Sequence, residues 1–147
     1  MSEFTTYEEQ LQAGETITCF TVGNSMEPLL YNRNTHVFVK KAEGNLHRND
    51  IPLYKRPSGE YVLHRIIRVS EDHYYIRGDN RNYLEKVPKD WVFGVVTKIY
   101  RKGKYISVTD PGYRLYVFLW NLIYPFRRVY YTIKTRLKCR KRNGSAS

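Results

Sequence analysis

Short apolar stretches separated by turn residues run through the first 110 positions of the chain. Alternating and clustered apolar residues of this kind predict strands, and repeated short strands indicate a mostly β domain. The predicted strands span residues 16–22, 35–41, 50–55, 60–69, 73–77, 91–100 and 105–108. Strands 50–55 and 60–69 form a predicted hairpin around the turn at residues 56–59, and residues 6–13 predict a short polar helix.

The pattern changes after Pro111. Residues 113–124 are rich in leucine and aromatic side chains, and Pro125 and the pair Arg127 and Arg128 follow. This apolar run is well short of the roughly 20 residues needed to span a bilayer. The sequence therefore predicts a domain at residues 1–110, followed at residues 111–147 by a basic, aromatic-rich, amphipathic helical segment.

The distribution of charge supports the same division of the chain. The chain of 147 residues has a formal net charge of +11, and residues 111–147 contain nine basic residues and no acidic one. A strongly basic segment indicates an anionic partner. Contact with anionic lipid headgroups is predicted for Arg127, Arg128, Lys138, Arg140, Lys141 and Arg142. A helix packed on the domain with a solvated basic end is an equally good interpretation, and nucleic acid ranks third because no binding module accompanies the charge.

Composition narrows the remaining possibilities. A hydrophobic content of 41% with 15% aromatic residues is typical of a folded protein. Cys19 and Cys139 lie far apart without metal-ligand spacing, so we expect free thiols, no metal and no cofactor. The acidic N-terminal residues lack an apolar core, which predicts neither an export signal nor an anchor there. The expected location is the cytoplasm, with peripheral contact to a membrane.

Candidate chemistry begins at Gly23-Asn24-Ser25-Met26-Glu27-Pro28, a bend that follows a predicted strand. Glycine permits the bend, and proline suits the first turn of a short helix. Further along the chain, Val62-Leu63-His64-Arg65-Ile66 and Gly78-Asp79-Asn80 follow. Serine, histidine and aspartate together can supply a nucleophile, a general base and an orienting group. His36, His47 and His73 have no motif around them and are predicted to lie on the surface.

These three motifs, in this order, resemble those of the type I signal peptidases and the related self-cleaving repressors. The resemblance covers roughly residues 15 to 105 and implies a coiled, barrel-like β fold. It implies that Ser25 is the nucleophile, that its backbone N–H binds the oxyanion, and that Met26 lines a substrate pocket. His64 occupies the position that lysine takes in many members, and histidine, with an ordinary pKa of about 6.5, can act as a base with little tuning.

The acidic partner of His64 is the least determined position. Asp79 is the first candidate, and Glu85 is the second because histidine-type members also use an acid beyond the Gly-Asp-Asn motif. Asp90 ranks well behind both. Gly23 stands where many signal peptidases carry a second oxyanion-binding serine, so that contribution is absent.

The predicted function is that of a serine endopeptidase that cleaves precursor or leader peptides at or near a membrane. One alternative is a self-cleaving regulator, since Ala13-Gly14 resembles a cleavage site of such proteins. Only a short strand separates Gly14 from Ser25, which leaves little slack for this dipeptide to reach the serine. The other alternative is a non-catalytic module that binds a membrane or a protein partner.

Overall fold

The computed structural model of the chain describes residues 6–144. The chain divides after Asp110 into two compact units. From residue 6 onward, the first unit contains a short helix, Tyr7–Gln12 (α1), and nine strands. The strands are Ile17–Phe20 (β1), His36–Lys41 (β2), Pro52–Lys55 (β3), Tyr61–Leu63 (β4), Arg65–Val69 (β5), His73–Arg77 (β6), Glu85–Pro88 (β7), Val92–Arg101 (β8) and Lys104–Ser107 (β9).

The nine strands form two antiparallel sheets. The larger sheet has the order β1-β2-β8-β3-β4, with β9 also paired to β8, and it curls into a half-barrel. The smaller sheet has the order β5-β6-β7. The prediction of a mainly β, barrel-like fold followed by C-terminal helices is confirmed. Strands β1 and β4 each have only one neighbour, so they form the two ends of the larger sheet's main strand order.

A hydrophobic core contains side chains from both sheets. It consists of Leu46, Tyr54, Val62, Ile66, Tyr74, Ile76 and Val87, each at most 7% exposed. Burial of apolar side chains away from water is the main contribution to the stability of the folded state of such a domain. The core fixes the position of β4 relative to β5 and β6, and the candidate chemistry lies at the ends of these strands.

One predicted strand, at residues 60–69, is in fact two. Strand β4 pairs with β3 in the larger sheet, whereas β5 pairs with β6 in the smaller one. The interruption falls on His64, which belongs to neither strand. The prediction was wrong because an unbroken apolar run does not reveal where a chain crosses between sheets. His64 therefore lies at the junction of the two sheets.

The polar helix predicted at residues 6–13 is present as α1. Thr6 and Glu9 form a capping box at its start, with Thr6 accepting from the Glu9 backbone and Glu9 accepting from the Thr6 backbone. Such a box satisfies two of the backbone donors that a helix start leaves without partners. Leu11 anchors the helix, since it is only 1% exposed.

Up to Gly144, the second unit contains two consecutive helices, Pro111–Leu122 (α2) and Tyr124–Gly144 (α3). The predicted helical segment is therefore present after Pro111. Across residues 6–144, no helix combines the length and the apolar character needed to cross a bilayer.

Candidate active site

Ser25 lies in the loop between β1 and β2. Gly23 has a φ of +87°, which lies in the left-handed region that glycine enters most readily. The bend predicted at this glycine is present. The short helix predicted after it is instead a series of turns with a cis peptide bond between Glu27 and Pro28. A single helical hydrogen bond remains, from the Leu30 N–H to the Met26 carbonyl at 2.9 Å.

Several contacts hold this loop in place. Met26, Leu29 and Leu30 are each at most 4% exposed and anchor it in the protein interior. From the end of β8, Nη1 of Arg101 donates to the carbonyl oxygens of Pro28 and Leu29, both at 2.9 Å. Because its loop is pinned from inside and from β8, Ser25 is held in a defined position.

The structure brings Ser25 and His64 together. Nε2 of His64 lies 2.9 Å from Oγ of Ser25, which is hydrogen-bond distance. For the serine hydroxyl to donate this bond, Nε2 must be the unprotonated nitrogen and Nδ1 must carry the proton. The pair then has the geometry in which a histidine can take the proton of a serine nucleophile.

His64 is only 5% exposed, and this burial changes its protonation. Burial disfavours the charged imidazolium and lowers the pKa of His64 from 6.5 to about 4. The positive charges of Arg56 and Arg81 lower it further, while the negative charges of Glu85 and Asp79 oppose them. His64 is therefore neutral at pH 7, and burial shifts its pKa further from the ordinary value than the sequence alone indicates.

Asp79, the first-ranked acid, forms a buried ion pair with Arg65. Its Oδ1 accepts from Nε of Arg65 and its Oδ2 accepts from Nη2, both at 2.7 Å. A third donor of this guanidinium, Nη1, reaches the Asn49 carbonyl at 3.0 Å. Within residues 6–144, no hydrogen bond joins Asp79 to His64. Asp79 thus fixes the residue directly after His64, which orients the histidine through the backbone.

Glu85 and Asp90 were the other candidate acids. The carboxylate of Glu85 accepts from Nε and Nη2 of Arg56, at 2.9 and 2.7 Å, and from the Tyr54 hydroxyl at 2.8 Å. Asp90 lies in a 3-10 turn, Lys89–Trp91, before β8. Among the described residues, neither carboxylate is hydrogen-bonded to His64. Glu85 therefore reaches His64 through its charge alone.

The Gly-Asp-Asn motif packs directly against the serine loop. The Asn80 N–H donates to the Ser25 carbonyl at 2.8 Å, and the Asn80 side chain donates to the Asn24 carbonyl at 3.0 Å. A Cβ atom on Gly78 would lie 2.6 Å from the Ser25 carbonyl oxygen, closer than real Cβ atoms approach. Glycine is required there because the two backbones are in close contact. The contacts with the Gly-Asp-Asn motif thus fix the position of Ser25 relative to His64.

The backbone N–H of Ser25 was predicted to bind an oxyanion. Within residues 6–144 it donates no hydrogen bond. An unused donor beside a candidate nucleophile can stabilise negative charge that develops on an attacked carbonyl oxygen. The group therefore has the availability that this role requires.

A cleft of about 640 Å³ opens at Ser25 and His64. Its lining includes the end of β1 with the residues after it, and β4. Both strands lie at the ends of the larger sheet's main strand order. Met26 contributes to the lining, as predicted for a pocket residue, although it is only 4% exposed. Apolar side chains, among them Phe20, Val22 and Tyr83, are exposed along the lining.

The other three histidines differ in their surroundings. His47 is exposed and His36 is half-buried, but His73 is only 8% exposed, so its predicted surface position was wrong. His73 begins β6 and pairs with Pro88 of β7, a strand that was not predicted. Its ring contacts the Asp72 carboxylate through Nδ1 and lies edge-on to Tyr75. The sequence analysis also missed Arg65. The signal that could have identified it is a positively charged residue directly after His64 within an apolar stretch.

The chain thus combines a curled β sheet with a serine bend beside a buried histidine. The family model described as Peptidase S24-like matches residues 2–97, well over half of the chain. The chain therefore belongs to the Peptidase S24-like family, which includes peptidases and self-cleaving repressors. The resemblance noted from the three motifs is confirmed at the level of this superfamily. No curated protein matches the chain.

Proposed function

We propose that this protein is a serine endopeptidase in which Ser25 is the nucleophile and His64 is the general base. The observation that carries the proposal is the 2.9 Å approach of His64 Nε2 to Ser25 Oγ at the edge of a cleft. Family membership supports a peptidase and a protein or peptide substrate. Precursor or leader peptides met at or near a membrane are the proposed substrate class.

The proposed reaction has two halves. Ser25 Oγ attacks the scissile carbonyl carbon while its proton passes to His64 Nε2, and the Ser25 N–H donates to the oxyanion. The C–N bond then breaks, the leaving amine takes the proton from Nε2, and an acyl ester remains on Ser25. In the second half, water attacks the ester carbon while His64 Nε2 accepts its proton. The bond between this carbon and Ser25 Oγ then breaks, the carboxylic acid product leaves, and Oγ takes the proton back from Nε2.

The cleft favours a substrate in extended conformation. Strands β1 and β4 have only four and three residues, and each has one neighbour in its sheet. Their outer edges leave backbone groups for an added strand, a common mode of peptide recognition. A peptide lying between these edges would bring its backbone past Ser25, and the side chains along the cleft would select among sequences.

Neutral His64 has a favourable and an unfavourable consequence for this chemistry. It is ready to accept a proton at pH 7, but a pKa of about 4 reduces the driving force for taking one from serine. No carboxylate within residues 6–144 is hydrogen-bonded to the ring to stabilise the imidazolium. We therefore expect slow turnover, such as suits a dedicated precursor more than a general digestive role.

The alternative of self-cleavage at Ala13-Gly14 has less support. These two residues follow α1 and lie just before β1, whose first residue, Ile17, pairs with Val39 of β2. Strand β1 would have to leave the sheet before the dipeptide could reach Ser25. That rearrangement would dismantle one wall of the cleft.

Labelling with a serine-reactive acylating probe tests the proposal. We expect Ser25→Ala and His64→Ala to abolish labelling, measured as the mass increase of the intact chain. The matched controls are Ser58→Ala and His47→Ala, since Ser58 and His47 are exposed loop residues outside the dyad. Because neutral His64 is the base, labelling by the parent chain should be constant from neutral pH to about pH 5 and fall near pH 4.

Labelling that survives either dyad substitution would refute the proposed chemistry. The remaining interpretation would then be a non-catalytic binding module with a peptidase fold. Loss of labelling in the control variants would instead point to a general effect on folding and would also count against the proposal.

A further inference from the structure

The second unit exposes large apolar side chains along one line of its two helices. Six of them are between 53% and 76% exposed and define the apolar stripe: Phe118, Leu122, Phe126, Val129, Ile133 and Leu137. Their spacings of four, four, three, four and four residues keep them on one helical face. Isolated exposed apolar residues are ordinary, but an aligned series of this length marks an interaction surface.

The stripe continues across the junction of α2 and α3. The Ile123 N–H donates to the Leu119 carbonyl at 3.1 Å, and the Arg127 N–H donates to the Ile123 carbonyl at 3.0 Å. Both are the four-residue bonds of an α-helix, so helical geometry continues on either side of Ile123. The stripe therefore extends over about 30 Å at the usual helical rise of about 1.5 Å per residue.

Positive charge accompanies this stripe and increases toward its end. Six exposed basic residues crowd the last described turns of α3: Lys134, Arg136, Lys138, Arg140, Lys141 and Arg142. From Pro111 onward the sequence contains no acidic residue that could neutralise them. Helices that combine an aligned apolar stripe with unneutralised basic side chains are complementary to a surface that is apolar in depth and anionic outside.

We propose that the second unit binds the surface of an anionic lipid bilayer, with the apolar stripe among the upper acyl chains and the basic residues on lipid phosphates. The helices lie along the interface, since none of those in residues 6–144 can cross a bilayer. This proposal gives a binding surface to the membrane location proposed above.

A bilayer explains both features of the surface, whereas a nucleic acid explains one. Phosphate backbones would attract the basic residues but would leave six large apolar side chains in water. A bilayer takes up the apolar side chains and attracts the basic ones through its headgroups. The charge distribution and the stripe thus favour the same partner.

Co-sedimentation of the full chain with lipid vesicles tests this inference. The Ser25→Ala variant is used, so that failure of binding and failure of the proposed catalysis are measured separately. We expect binding to phosphatidylcholine vesicles that contain phosphatidylglycerol, weaker binding to pure phosphatidylcholine, and a decline with rising salt as charges are screened.

Two sets of substitutions separate the contributions. Phe126→Gln with Ile133→Gln should lower the affinity for anionic vesicles on the order of tenfold, since apolar burial is lost. Lys138→Gln, Arg140→Gln and Lys141→Gln together should lower it on the order of a hundredfold at low salt. Glutamine is a good helix former, and circular dichroism checks that helix content is retained.

Matched controls lie in the first unit. Leu84→Gln with Tyr105→Gln removes two exposed apolar side chains, and Lys40→Gln, Lys41→Gln and Lys104→Gln remove three exposed charges. Both should leave vesicle affinity within about twofold. Equal binding to neutral and anionic vesicles, equal losses in the control sets, or binding to a single-stranded RNA probe without binding to vesicles would each overturn the inference.

Discussion

Arg65 and Asp79 place opposite charges in the interior, next to the candidate base. Their side chains are 1% and 3% exposed, and two hydrogen bonds of 2.7 Å join them. Taking an ion out of water costs several kcal/mol, which only a close partner can offset. The ion pair between Arg65 and Asp79 is thus required to keep the chain next to His64 in its folded position.

This reasoning gives a prediction for Asp79→Asn. The substitution leaves the buried guanidinium without its counter-charge, so we expect a loss of about 3–5 kcal/mol in the free energy of unfolding, measured with denaturant. Asp79→Leu combined with Arg65→Met should recover part of that loss, because both charges are then gone.

A different outcome would identify a different role. If Asp79 instead served His64 directly, Asp79→Asn would abolish acylation of Ser25 while leaving the unfolding free energy nearly unchanged. Comparing the two measurements on one variant distinguishes orientation through the backbone from direct contact.

At the residue scale, sequence reasoning named Ser25 and His64, and the fold brings them to hydrogen-bond distance. It did not find Arg65, because strand alternation assigned this residue only to the face opposite His64. The contact between Arg65 and Asp79 joins a strand residue to a turn residue 14 positions further along the chain. The local pattern of apolar and polar residues in the sequence contains no information on such long-range pairs.

At the scale of elements, the approach of the Gly-Asp-Asn turn to the serine loop controls the geometry of the dyad. Gly78→Ala would place a Cβ 2.6 Å from the Ser25 carbonyl oxygen and 3.2 Å from the Ser25 Cβ. Because the neighbouring atoms belong to the backbone and to a Cβ, the loop must move. We expect labelling of Ser25 to fall on the order of tenfold or more, as displacement of reacting groups reduces rate steeply.

The matched control is Gly112→Ala. A Cβ at Gly112 meets nothing within 4 Å, and this residue lies in the first turn of α2. Labelling should remain unchanged in this variant. Unchanged labelling in Gly78→Ala as well would mean that the turn does not set the position of Ser25.

Most strands and the hairpin of β3 and β4 were predictable, because alternation and turn residues are local signals. The break at His64 and strand β7 were not. Strand β7 contains a single buried apolar residue, Val87, and forms because β6 offers it an edge. Pairing decided by a neighbouring strand overrides weak local preference.

For the whole molecule, burial of neutral His64 makes stability depend on pH. The unfolded chain binds a proton at this residue below about pH 6.5, whereas the folded chain binds it only near pH 4. Stability is therefore complete above about pH 6.5 and declines as pH falls toward 4. The difference between these two pKa values corresponds to a loss of roughly 3 kcal/mol in the free energy of unfolding across this pH range.

Denaturant unfolding at a series of pH values measures this decline. Glu8 and Glu85 have pKa values lowered from 4.5, in each case through hydrogen bonds and neighbouring positive charge that outweigh burial. The stability they contribute is lost mainly below the ordinary range of a carboxyl group. Between pH 5 and 6.5 the slope should belong largely to His64, and His64→Gln should flatten it. An unaltered slope in that variant would contradict the assigned protonation.

Under the proposed endopeptidase function, the two end strands that line the cleft restrict which proteins can be cut. A polypeptide can pair with β1 or β4 only after giving up the backbone hydrogen bonds it makes elsewhere. A cleavage site inside a stable helix would therefore be protected by the free energy of its own local unfolding, whatever its side chains. For a protein with such a cleft, the choice of target depends on conformational order as well as on sequence, and a precursor can be shielded simply by folding.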